Sequence, residues 1–211
     1  APAGVAAGAC ARARWWEEAA GRRGVVRGRP GKGPGRGAGL VRHPRVKKVS
    51  LTGGTEVGRG IARMAAEKLM PVSLELGGKS PTIVCDDADL DHAVNGVLYG
   101  IFSSSGEACI AGSRLFVQRA VYDEFMKRLV AGARKLRVGD PTRADTQMGP
   151  LITAQHRESV ERYVAPGLGE GGRRLCGGAR PSGGGRGYGF FLPPTTLQGL
   201  PNSARICQEG I

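Results

Sequence analysis

Leu51-Thr52-Gly53-Gly54-Thr55-Glu56-Val57-Gly58 decides the fold. Val49 to Thr52 reads as a short buried strand. The glycines that follow open a helix predicted over Gly58 to Leu69, with Ile61, Met64, Ala65 and Lys68 at helical spacing. A strand running through glycines into a helix is the beginning of an α/β layer, and the helix's first N–H groups form a natural seat for a phosphate. Taken alone, the turn is also what any ordinary strand–helix junction looks like.

Downstream comes Leu74-Glu75-Leu76-Gly77-Gly78-Lys79-Ser80-Pro81. Val72 to Leu76 is predicted as a strand. Its end sets a carboxylate in an apolar run just before two glycines, a partly dry position where ligands of α/β sheets bind. After a further strand (Thr82 to Cys85) and a helix from Leu90 to Phe102 capped by Asp89, Cys109 stands in Ser105-Gly106-Glu107-Ala108-Cys109-Ile110-Ala111-Gly112-Ser113-Arg114. Cysteine is usually an inert small hydrophobe. The small residues around this one leave room for a substrate at the sulfur. A thiol and a carboxylate together can run acyl chemistry, the thiolate attacking a carbonyl and the carboxylate activating water. Glu107 is the rival carboxylate and reads as structural or solvated. Cys10, Cys85, Cys176 and Cys207 read as inert.

The three segments, in this order and spacing, resemble the NAD(P)-dependent aldehyde dehydrogenase superfamily from about Gly24 to Ile211. The resemblance implies Cys109 as nucleophile and Glu75 as general base of deacylation. It implies NAD or NADP held by Thr52, Gly53, Gly54, Thr55, Gly58 and Leu76, with His156 near the nicotinamide ribose, and an aldehyde as substrate. It implies a homo-oligomer at full length, whereas the scattered histidines argue against a metal and the odd cysteine count without a secretory signal points to a cytoplasmic protein. Gly54 stands where the family has a serine, and Gly210 where it has an acid that binds the ribose. The family's oxyanion asparagine and adenosine-gripping lysine lie upstream of the matched residues. The chain is therefore expected to be a central fragment that is inactive by itself. The alternatives are a non-catalytic basic interaction protein and cofactor-free thioester or ester hydrolysis.

Other chemistries fail on spacing. Gly78-Lys79-Ser80 would need a glycine at position 73 to be a P-loop, and Ser73 stands there. Ser103 to Ser105 lack a nucleophile elbow. The three histidines are too scattered for zinc.

The charge of +13 invites a nucleic-acid reading. Its distribution argues against one. Residues 1–48 carry 12 Lys/Arg against 2 acids, and the remainder 19 against 16. Five cysteines without a CxxC pair fit reduced thiols. No apolar run is long enough to cross a membrane.

The expected fold is α/β: residues 1–23 unassigned and disordered, 24–76 the second part of a Rossmann-like cofactor domain, 77–211 an incomplete α/β catalytic domain. Residues 1–38 are expected to be loosely packed. Val25-Val26-Arg27-Gly28-Arg29 and the glycines at 33, 35, 37 and 39 depart from the family's apolar strand and helix, so the head reads as altered sequence joined to an intact body. Further elements are a strand at Leu115 to Gln118, a helix at Val121 to Leu136, a helix from Thr153 to Val164 stopped by Pro166, and strands at Leu175-Cys176, Phe191 to Leu197 and Ala204 to Cys207.

Overall fold

A computed structural model describes residues 11, 14–16, 18–19, 27–28, 31–181 and 189–209. Most of the expected disordered head lies outside the described residues. Within it, Ala11, Arg14 to Trp16, Glu18 and Ala19 are helical. The chain is α/β and divides into two compact units at Leu76/Gly77.

In the first unit, β1 (Val49–Thr52) and β2 (Val72–Glu75) lie parallel, Val49 beside Val72 and Thr52 beside Glu75. The crossover is α2 (Thr55–Ala66), preceded in the chain by α1 (Ala38–Arg42). The core is small. Val41, Ala65 and Met70 are buried, with Val46, Val49, Ile61, Met64 and Val72 packed around them. Lys68 ties this core to the incoming chain. Its Nζ donates to the carbonyls of Val41, His43 and Val46 at 3.1, 2.7 and 3.1 Å.

Two expectations are corrected here. Helix α2 begins at Thr55, three residues before the expected start, because Gly54 takes the extended N-cap conformation. It ends at Ala66 because residues 67–69 form a turn. The glycine run is also helical where the cost of about 1 kcal/mol per glycine argued otherwise. Gly33–Gly37 form a single π turn leading into α1, with Pro34 in its first turn, a position that suits proline's fixed φ.

In the second unit, β3 (Pro81–Val84) and β4 (Arg114–Val117) are parallel, Ile83 beside Phe116. Helix α3 (Leu90–Phe102) matches the sequence reading, with Asp89 accepting from the His92 N–H at 2.9 Å. Helix α4 (Tyr122–Lys135) packs on it. Val84, Val94, Val97, Leu98, Phe125, Leu129, Ala133 and Cys176 form the core. Arg128 spans the two helices, reaching Asp91 at 2.8 Å and Glu124 at 2.7 Å.

The C-terminal third departs most from expectation. Helix α5 (Ala154–Gly169) runs through Pro166 and does not stop there. Proline lacks only its own N–H, and its carbonyl still accepts from Glu170 at 2.8 Å, so one further turn closes. The expected strand at Phe191 to Leu197 shrinks to β6 (Thr196–Gln198), since Pro193 and Pro194 supply no ladder donors. It pairs antiparallel with β5 (Arg173–Cys176). The expected strand at Ala204 to Cys207 is instead a helical turn, α6 (Arg205–Gln208), closed by local bonds such as Glu209 N–H to the Arg205 carbonyl at 2.9 Å. Among the described residues no helix is long and apolar enough to cross a membrane, and no cluster of His, Cys, Asp or Glu could hold a metal.

Candidate functional site

The first unit holds the predicted cofactor residues other than His156, around the carboxyl ends of its two parallel strands. There ligands of α/β sheets sit. Thr52 ends β1 beside Glu75 at the end of β2, and the Gly53 N–H donates to the Glu75 carbonyl at 3.0 Å. Gly54 follows, capping α2 with no side-chain hydrogen bond to the helix's first N–H groups. Thr52 to Thr55 are exposed. Gly58 is buried beneath them. A Cβ there would stand 2.6 Å from Leu76 Cδ2, so the glycine lets Leu76 lie against the first turn of α2 without shifting. Sequence reading placed Glu75 in a partly dry site. It is exposed at the end of this unit's two-stranded sheet.

The second unit holds Cys109. Helix α3 ends at Phe102, and the chain then turns through Ser103–Gly106. Ser104, Ser105 and Gly106 all have positive φ, at 50°, 59° and 81°. For the two serines this left-handed backbone costs about 1–2 kcal/mol each, and such strain persists only where neighbours over-determine it. The neighbours are visible. Ser105 Oγ donates to the Gly149 carbonyl at 3.3 Å. Glu107 Oε1 lies 3.0 Å from His156 Nδ1. Helix α5 presents that histidine, its N-terminus capped by Thr153, which accepts from the His156 N–H at 3.1 Å.

Cys109 itself is a free, exposed thiol in a turn closed by the Ala111 N–H on the Ala108 carbonyl at 3.0 Å. Gly78 lies directly against it. A Cβ on Gly78 would meet the Cys109 carbonyl oxygen at 2.7 Å. The Arg114 guanidinium Nε donates to the Lys79 carbonyl at 2.8 Å and the Arg114 N–H to that of Ser80 at 3.2 Å. Gly78 and the loop that carries Cys109 are thus packed together, although 31 residues separate Gly78 from Cys109 in sequence. Sequence reading missed Ser105 and Gly149, which carry no motif signal. It took Glu107 as structural or solvated. Its carboxylate is partly exposed and faces His156.

Among the remaining cysteines, Cys85 is exposed, Cys176 buried and Cys207 intermediate. Cys10 lies outside the described residues. A cavity of about 360 Å³ opens nearby between core side chains, including Phe102, Leu115, Met126 and Leu197, with Lys79 and Cys207 on its wall. Burial pushes the Lys79 ammonium below its ordinary range, the neighbouring Cys207 thiol opposes this, and Arg114 adds to it. Neither Cys109 nor Glu107 lines that cavity. Its walls come from α3, β4, α4, α5, β6 and α6, and Gly112 and Ser113 at the end of the cysteine loop line it while the Cys109 thiol does not.

Comparison with known proteins agrees with this arrangement. The sequence pattern of the aldehyde dehydrogenase family matches residues 3–211. A betaine aldehyde dehydrogenase of Mesorhizobium japonicum is 44% identical over 175 residues, covering 83% of this chain and 36% of that protein. A betaine aldehyde dehydrogenase from Staphylococcus aureus, solved in complex with NAD+, superposes with a TM-score of 0.83 at 39% identity over 85% of this chain and 36% of its own. A mutant aldehyde dehydrogenase from Bacillus cereus gives 0.81 at 39% identity over 86% and 36%. The chain spans little more than a third of the length of these relatives. With its strand–turn–helix and its cysteine loop built on that plan, it belongs to the aldehyde dehydrogenase family.

Proposed function

We propose that these residues serve the oxidation of an aldehyde to a carboxylic acid with NAD or NADP as hydride acceptor. The observation that carries this reading is the parallel register that sets Glu75 beside Thr52 and the Gly53-Gly54 turn at the carboxyl ends of β1 and β2. The turn suits a pyrophosphate. Its backbone is exposed, the first turn of α2 has no side-chain cap, and the missing Cβ of Gly58 lets Leu76 close under it. Thr52, Gly53, Gly54, Thr55, Gly58 and Leu76 hold the cofactor, with His156 toward its nicotinamide side. Gly54 contributes no hydroxyl, so the chain by itself holds the cofactor weakly.

Cys109 adds as the thiolate to the aldehyde carbon and carries the tetrahedral adduct. A bound nicotinamide would supply the hydride acceptor for oxidising that adduct to the thioester held on Cys109. Glu75 then takes a proton from water, which attacks the thioester and releases the acid and the thiol. The aldehyde named in the relatives, betaine aldehyde, is the first substrate to test.

The experiment is burst kinetics on a full-length protein containing these residues, with betaine aldehyde and NAD. Cys109→Ala gives no NADH. Glu75→Gln gives one equivalent and then stalls at the thioester. A Glu75→Gln variant with an unchanged steady state would overturn the assignment of the base.

A further inference from the structure

We infer that Glu107 is a positioning residue, which with His156 latches the Cys109 loop to the start of α5. Four observations meet at this point. The loop carries three consecutive left-handed residues, two of them serines, directly before Glu107. Its internal bonds are short turns only, such as the Glu107 N–H on the Ser104 carbonyl at 3.2 Å. The two side chains that tie it outward both reach the segment from Gly149 to His156, Ser105 to the Gly149 carbonyl and Glu107 to the imidazole. And the capped N-terminus of α5 fixes the backbone of His156, so the far end of the tie is rigid.

A backbone held in a disfavoured conformation relaxes when its ties are cut. Cys109 is two residues beyond the tie, so relaxation there displaces the sulfur from the position in which it meets a carbonyl carbon. Attack geometry tolerates little displacement. Glu107 faces the imidazole of His156 in this arrangement. Its carboxylate is engaged by His156, and its contribution is made through the loop. The inference rests on Cys109 being the nucleophile, but the latch itself is testable without any activity.

Hydrogen exchange followed by mass spectrometry on the 211-residue chain reads the loop directly. Glu107→Ala and His156→Ala each speed exchange over residues 103–112 roughly threefold to fivefold, the range expected for a partly exposed polar contact. Exchange over residues 122–135 is unchanged, which shows that the variants fold. The double variant is no faster than either single. Exchanging the partners, Glu107→His with His156→Glu, restores protection to within about twofold. Unchanged exchange in the single variants, or additive effects in the double, overturns the latch. If Glu107→Ala loses protection over 122–135 as well, the isosteric Glu107→Gln takes its place with the same expected result.

In the full-length enzyme Glu107→Ala lowers kcat by a similar factor and leaves KM for the aldehyde unchanged. A raised KM with unchanged kcat contradicts a positioning role. A full-length protein with no aldehyde oxidation at all would sink the proposed function and leave the exchange result standing.

Discussion

Lys79 shows how a single residue in a functional motif carries a cost. It follows Gly78, which lies against Cys109, and burial beside the apolar cavity lowers its pKa from the ordinary 10.5, with Cys207 opposing and Arg114 adding to the effect. A base whose folded pKa is depressed weakens the fold while it is protonated. The penalty is full below the folded pKa and disappears as pH rises to the unfolded value. Lys79→Met, which keeps the stem and removes the charge, therefore stabilises the chain near neutral pH. The advantage over the natural sequence narrows as pH approaches 10.5. Urea unfolding midpoints at about pH 7 and about pH 10 check this. A lower midpoint for the variant at neutral pH would show that the ammonium is a net stabilising group. The carboxylate of Asp89 behaves oppositely. The His92 N–H holds its pKa below the ordinary carboxylate range, so its capping contribution is present at neutral pH and is lost as pH falls through the lowered value. Asp89→Asn, which keeps the acceptor without the titration, flattens that part of the acid unfolding profile.

At the scale of elements, α2 ends in a turn of defined type. The Leu69 N–H bonds the Ala66 carbonyl at 3.1 Å and the Met70 N–H bonds that of Ala65 at 3.0 Å, while Leu69 takes φ 53°. This is the Schellman arrangement, with Met70 packed near Ala65 in the core. Glycine is its usual left-handed residue. Here it is a leucine that is 93% exposed and so gains little from burial. Leu69→Gly removes the left-handed penalty and raises stability by roughly 1 kcal/mol; a fall in the thermal midpoint would contradict it. The same turn explains what sequence could and could not tell. Apolar spacing identified the helix, but a leucine gave no sign that the chain had already turned. Asp89 was legible as a cap because a capping carboxylate is a local device, and α3 came out with both ends correct. Cys207 was misplaced on a strand because Ala204-Arg205-Ile206-Cys207 is too short to show a period, and the segment closes as a helical turn. At the site, Cys109, Glu75 and the glycine turn stood out from motif and spacing, and the roles of nucleophile and base are the proposal made for them. The tie between Glu107 and His156 was not, since it joins residues 49 positions apart by tertiary packing alone.

At the scale of the whole molecule, charge and packing draw different boundaries. Composition divides the chain at residue 48, where the basic excess stops. The core does not divide there. Val41 is 3% exposed and packs with Ala65 and Met70, Val46 lies against the same cluster, and Lys68 donates to carbonyls at 41, 43 and 46. A head cut away at 48 would leave Lys68 without its three acceptors and would open the small core on one side. Burying a valine contributes about 1.5–3 kcal/mol, and a cluster of three buried residues has little else to draw on. The expectation is therefore comparative. A chain that begins at Val49 exchanges its amides over residues 55–66 at least about tenfold faster than one that begins at Gly31, because the loss exceeds about 1.4 kcal/mol. Hydrogen exchange of the two truncations side by side measures it, with residues 122–135 of the second unit as the internal reference. Equal exchange over 55–66 would mean that the first unit stands without α1 and the segment leading to β1. The arginine-rich head would then be separable where composition divides it, and the nucleic-acid reading of the charge would regain its ground.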